Sequence, residues 1–233
     1  MQRNIEFSEG EYYHVYNRGV EKREIFLDDR DRRRFMRLLF VANGTKPFKF
    51  REIQDKSYST IDRGDALTAI GAYCLMPNHF HILAKETSEG GISKFMEKLG
   101  TGYSMYFNKK NARTGFLFQG NFKAEHVDSD EYLKYLYAYI HLNPVKLIDS
   151  NWKIDGIRDR ARAERYLSRY DYSSYIDYVS TSVREEKGIL APEEFPGYFE
   201  RAADFSFFIK EWLEYSRDDL DTPSVSSTPR FKD

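Results

Sequence analysis

Hydrophobic positions along the 233-residue chain recur with two different periods, and each change of period marks a change of structure. Residues 12–18, Tyr-Tyr-His-Val-Tyr-Asn-Arg, alternate well enough for a strand, which Gly19 closes. The spacing then becomes helical. Phe35, Leu38, Leu39 and Ala42 fall on one side, Asp28 or Asp29 is available as N-cap, and the opposite face over 30–37 is basic. That face, with Arg32, Arg33 and Arg34, is either solvated or laid along phosphates. After the turn-like Asn43-Gly44, residues 45–66 are polar and irregular, so a loop is expected there with at most a short strand at 48–53. Two apolar runs, 67–76 and 79–86, are parted by Pro77-Asn78. They fit two antiparallel strands joined by a tight turn, or one strand bent there.

Further along, Ile92, Phe95, Met96, Leu99, Tyr103 and Tyr106 share a helical face that Gly100 and Gly102 are expected to interrupt. A basic, glycine-containing loop over 108–123 leads to a third helix. Asp128 is its expected cap, Glu131 completes a capping box, and Pro144 ends it near Asn143. The expected organisation is one domain over 1–178, a helical extension over 179–216 and a disordered tail over 217–233.

Composition narrows the class. At 41% hydrophobic the chain can bury a core. No run of about 18 apolar residues can span a bilayer, and the opening Met-Gln-Arg-Asn-Ile-Glu-Phe lacks the apolar stretch of a secretory signal, so a cytoplasmic location without membrane contact is expected. Asn43-Gly44-Thr45 matches a glycosylation sequon, but nothing else points to secretion. The single cysteine, Cys74, lies in an apolar run and reads as a small core residue. Net charge is −1, distributed unevenly: residues 1–147 hold 23 Lys and Arg against 19 Asp and Glu, and residues 148–233 hold 13 against 18. The first part can therefore face a polyanion without being required to.

Candidate chemistry gathers at two places. In a strand His79 and His81 point the same way, either as two half-buried histidines or as a pair able to share a metal. On the third helix Tyr132, Tyr135, Tyr139 and Asn143 share a face, either as a packing stripe or as a reactive surface. The amide oxygen of Asn143 would complete a set of two imidazoles and one oxygen. That set suits manganese better than magnesium, although either ion fits the open geometry.

The segment Pro-Asn-His-Phe-His-Ile-Leu resembles the histidine–hydrophobe–histidine (HUH) motif. Tyr-Ala-Tyr-Ile-His-Leu-Asn-Pro-Val-Lys resembles the tyrosine helix of single-tyrosine HUH transposases, closest to the REP-associated tyrosine transposases. Further likeness lies in Tyr-Tyr-His-Val-Tyr-Asn-Arg-Gly, in the loop from Thr114 into the third helix, and in Tyr-Asp-Tyr-Ser-Ser-Tyr, so that it runs from about residue 12 to 178. Asn121, where a basic residue is common, and the long 43–66 connection depart from the pattern.

The resemblance implies an α+β fold, a ferredoxin-like antiparallel sheet with helices packed against it. It implies that His79, His81 and Asn143 bind Mg2+ or Mn2+ and that Tyr139 is the nucleophile, attacking single-stranded DNA beside a hairpin to leave a 5'-phosphotyrosine. Arg18, Lys109, Lys110, Arg113, Gln119 and Lys123 are the candidate DNA contacts, as a monomer or a homodimer; the basic ones are equally readable as solvated charges. Two other readings stay open: a non-catalytic single-stranded DNA or RNA hairpin-binding module, and a metallohydrolase built on His-x-His.

Overall fold

Seven elements of the computed structural model build one sheet and the first helical layer: β1 (Tyr12–Arg18), α1 (Asp29–Ala42), α2 (Phe50–Ile53), β2 (Thr68–Met76), β3 (His79–Glu86), α3 (Gly91–Lys110) and β4 (Lys123–Val127). Helices α4 (Asp130–Leu142), α5 (Trp152–Asp155), α6 (Arg160–Leu167), α7 (Tyr175–Val179) and α8 (Ala202–Glu214) follow. The described residues are 6–214; the expected tail over 217–233 lies outside them. The strands lie in the order β2-β3-β1-β4, and every neighbouring pair is antiparallel. Without the single turn of α2, the order β-α-β-β-α-β is the ferredoxin-like arrangement, in agreement with the expected fold class.

Alternation along the strands sorts the side chains between two cores. Tyr13, Val15, Phe80 and Ile82 pack with Phe35 and Leu39 of α1 and Phe95, Leu99 and Tyr103 of α3. On the other face Ala72, Cys74 and Leu83 pack with Leu133, Leu136 and Ile140 of α4 and with Phe205, Ile209 and Leu213 of α8. Cys74 is fully buried there, and burial pushes its thiol well above the usual range. Gly71 lets the C-terminal segment close in, because a Cβ there would stand 2.8 Å from the Phe195 ring and 2.9 Å from Tyr137 Oη. The outer edge of β2 is covered as well: Leu75 N–H donates to Tyr172 O (2.9 Å), Ser174 N–H to Tyr73 O (3.0 Å) and Ala191 N–H to Ile70 O (2.9 Å).

Several local expectations are corrected. Residues 48–53 form no strand. Their aromatic side chains belong to the first core, and the Arg34 guanidinium lies 3.1 Å from the Phe50 ring centroid. Arg32 likewise covers Tyr172, so part of the basic face of α1 is spent on aromatic rings. Helix α3 runs unbroken through Gly100 and Gly102; a Cβ at Gly102 would already be 3.4 Å from Leu38, so a bare backbone there lets α1 approach. Packing of this kind outweighs the cost of about 1 kcal/mol for a helical glycine. The cap of α4 is Ser129, whose hydroxyl accepts from Tyr132 N–H at 3.2 Å, and not Asp128. Asn43 is 1% exposed and pins the end of α1 to β2, donating to Thr68 O (2.8 Å) and accepting from Leu67 and Thr68 N–H, so no glycan can reach it.

His141 is sealed between α4 and the chain leading into α7. Its Nδ1–H donates to Tyr137 O (2.8 Å) and its Nε2 accepts from the Ser174 hydroxyl (2.7 Å). Burial holds its pKa down at about 3, against 6.5 when free. The unfolded chain therefore takes a proton below pH 6.5 that the folded chain refuses, so stability falls with acidification from 6.5 toward 3 and is unaffected above it. Between pH 7 and 5 the wild type should lose about 2 kcal/mol more than His141→Gln, measured by urea unfolding at each pH.

Candidate active site

The pairing of β1 with β3 sets Arg18 opposite His79 and Tyr16 opposite His81, and the pairing of β1 with β4 sets His14 opposite Glu125. All of these side chains stand on the face that α4 covers. Helix α4 does not close completely over them: a cavity of about 730 Å³ remains, lined by the histidines, Glu125, the tyrosine stripe, Asn143, Lys146 and Lys153.

Tyr139 is the point of contact between the two candidate groups. Its ring stands edge-on to His81 at 5.3 Å between centroids and edge-on to His14 at 5.7 Å, and the residue is 8% exposed. Tyr132, Tyr135 and Tyr139 stack in succession at 6.1 and 6.0 Å, so the stripe both packs the helix and faces the cavity. The Lys153 ammonium lies 4.7 Å from the Tyr139 ring centroid, carried by the short helix α5 that buried Trp152 anchors. His81 and Tyr139 belong to the same chain, so the juxtaposition needs no second subunit.

Behind the histidines lies a polar network. His14 Nε2 and His81 Nδ1 are 2.9 Å apart, and His79 Nδ1 is 2.6 Å from Asn78 Oδ1. Glu125 accepts from Tyr16 Oη (2.8 Å) and Tyr132 Oη (3.2 Å) and lies 3.9 Å from His14 Nδ1. The His14 contact, aided by both phenols, holds the Glu125 carboxyl down at about 2. Burial lowers His14 despite Glu125, and lowers His81 well below its ordinary value, with the charges of His14 and His79 acting in the same direction. Burial, followed by the Glu125 carboxylate, pushes the Tyr16 phenol well above its usual range; the same two causes act on Tyr132.

Neutral imidazoles are the form that binds a metal. The His79 and His81 rings are 5.0 Å apart at 87°, and Asn143 lines the same cavity with its Nδ2 donating to Tyr139 O at 2.8 Å. That bond occupies the amide nitrogen, so the oxygen is the atom with ligand chemistry. Among the described residues no group of three or more His, Cys, Asp and Glu side chains could hold an ion. The two imidazoles and the amide oxygen of Asn143 line one cavity, and a donor set of that kind could take a divalent ion that keeps open positions.

The structure brings together Arg18, His79, His81, Gln119, Lys123, Tyr139 and Asn143 around this cavity. It does not bring Lys109, Lys110 or Arg113 to it: Lys109 is exposed at the end of α3, Lys110 bridges Asp28 and Asp31, and Arg113 donates to Asn108. His126, the neighbour of Glu125 on β4, does not line the cavity and pairs with Glu11 at 2.7 Å. Sequence reasoning missed Tyr16, Glu125, Lys146 and Lys153. Tyr16 was findable, since it alternates in phase with His14, whereas Lys153 reaches the site only through the turn after Pro144.

A family profile described as Transposase IS200 like matches residues 11–143, from β1 through Tyr139 to Asn143. The chain belongs to the IS200-like transposase family. This IS200-like transposase is similar to a solved structure of a REP-associated tyrosine transposase bound to a REP hairpin, at 14% identity over 84% of this chain and 92% of that chain, with a TM-score of 0.49. No curated protein sequence matches it. The family model bears out the transposase family assigned from the motifs. Lys153 and the segments after it lie beyond the matched span of the transposase. Among the described residues no helix is long and apolar enough to cross a membrane.

The contrasting places of two basic residues are testable by denaturant unfolding. Lys110 ion-pairs with Asp31, whose side chain is fully buried, so Lys110→Ala should cost about 2 kcal/mol. Lys123, exposed on β4, should change stability by less than about 0.5 kcal/mol on truncation.

Proposed function

We propose that this transposase nicks and rejoins single-stranded DNA flanking a hairpin, with Tyr139 as nucleophile and a 5'-phosphotyrosine as intermediate. The observation that supports this reading most directly is the Tyr139 ring held against His81 at the edge of an open cavity. His79, His81 and the Asn143 oxygen would hold the ion. When bound, Mg2+ or Mn2+ supplies positive charge at the non-bridging oxygens of the scissile phosphate.

A phenol with a pKa near 10 is a poor nucleophile at neutral pH, so the site has to favour its oxyanion. The Lys153 ammonium beside the ring favours that charge, and Lys146 adds positive potential in the same cavity. In the forward step the Tyr139 oxygen forms a bond to phosphorus and gives its proton to water. The bond from phosphorus to the 3'-oxygen breaks, and that oxygen takes a proton from water. Because the phosphotyrosine retains the energy of the broken ester, a 3'-hydroxyl can reverse the step without ATP.

Arg18, Gln119 and Lys123, which line the cavity, are the groups that would contact the strand. Phe116, 86% exposed in the loop between α3 and β4, is available to stack an unpaired base.

With labelled single strands and Mn2+, the wild type should give a protein–DNA band that survives denaturing electrophoresis. Tyr139→Phe should abolish it while folding and hairpin retention stay near normal. His79→Ala should lose the metal-dependent product but still retard DNA. Persistence of the covalent band in Tyr139→Phe would refute the assignment of the nucleophile.

A further inference from the structure

A histidine can ligate through only the ring nitrogen that carries its lone pair, so a pair of ligand histidines needs its protons placed on the other two nitrogens. Two separate chains of polar groups reach His79 and His81, one along the cavity wall through Glu125 and His14 and one through Asn78. Resting on the reading of these two as metal ligands, we infer that Glu125 with His14, and Asn78 with the Lys22 carbonyl, are positioning groups that set both imidazoles in the Nδ1–H tautomer and so aim both Nε2 lone pairs at the ion.

On the His81 side, His14 Nε2 and His81 Nδ1 are 2.9 Å apart and share one proton. The Glu125 carboxylate faces the other nitrogen of His14, with Oε2 3.9 Å from Nδ1. Negative charge at that end holds the His14 proton on Nδ1. His14 Nε2 is then an acceptor, and His81 must donate from Nδ1. The two phenols of Tyr16 and Tyr132 hold the carboxylate in this position, at 2.8 and 3.2 Å.

On the His79 side, Asn78 is oriented by its own amide. Its Nδ2 donates to Lys22 O at 3.0 Å, which turns Oδ1 toward His79 Nδ1 at 2.6 Å. An amide oxygen only accepts, so His79 too must donate from Nδ1. The turn that presents the Lys22 carbonyl is strained: Glu21 and Lys22 hold φ of +56° and +59°, a left-handed conformation that ordinary side chains adopt at a cost. Backbone strain persists only where its surroundings over-determine it, and here it delivers the one oxygen that orients Asn78. Loss of such outer partners typically weakens metal affinity 10–100-fold.

The test uses the full chain, labelled with 15N. In metal-free wild type, long-range 1H–15N spectra at neutral pH should show Nδ1–H tautomers for His79 and His81. Glu125→Ala should disturb the tautomers of His14 and His81 and leave His79 unchanged, and Asn78→Ala should do the reverse. Titration calorimetry with Mn2+ alone should show each variant binding about tenfold or more weakly. Glu125 is half-exposed, and Glu125→Gln serves should the alanine variant fold poorly. An Nε2–H tautomer on either histidine of the wild type, or unchanged Mn2+ affinity in both variants, would overturn the inference. Wild type that binds no Mn2+ would instead sink the metal site, while the tautomer spectrum would still decide the hydrogen-bond chains.

Discussion

The antiparallel register of β1 against β3 is the constraint from which the site descends. It puts Tyr16 beside His81 and Arg18 beside His79, and it sends Phe80 and Ile82 into the opposite core. A slip of one residue would exchange the two faces, burying the imidazoles under α1 and α3 and exposing the apolar side chains. The hydrophobic demand of Phe80, Ile82, Tyr13 and Val15 for one face therefore holds the histidines on the other. Core packing and site geometry are here one requirement, met by one pattern of alternation.

The second face is built on a compromise. Helix α4 has to bury Leu133, Leu136 and Ile140 against the sheet and still leave room beside Tyr139. Large aromatic side chains meet both needs, since a tyrosine fills space along its ring and brings a polar tip to the rim. The segments after α4 complete the arrangement: α8 packs behind the helix, residues 172–174 and 191 cover the β2 edge, and Arg184 ties this region together through Asp177, Ser173 O and Tyr73.

Much of this was legible in the sequence, for identifiable reasons. Strand β1 and the turn at Pro77-Asn78 follow from local alternation and turn chemistry, and α1 and the end of α4 from capping and proline, all of which act within a few residues. Strand β4 was not legible, because Lys-Ala-Glu-His-Val is short and polar and is held mainly by pairing with β1. For the same reason Glu125 could not be connected to His14: the contact depends on register between strands 111 residues apart. The tyrosine stripe could be read either as packing or as chemistry. In the fold those readings coincide, as the stacked rings of Tyr132, Tyr135 and Tyr139 do both.

The deep packing of α4 bears on the proposed chemistry. Tyr139 is flanked along its helix by Tyr137, Ile140 and His141, all deeply buried, and the helix is capped at one end by Ser129 and stopped at the other by Pro144. On the proposed role of Tyr139, a strand end esterified to that phenol would be moored to a helix packed into the centre of the protein. On that proposal, the flexibility of the unpaired segment next to the stem would bear on which ends can meet.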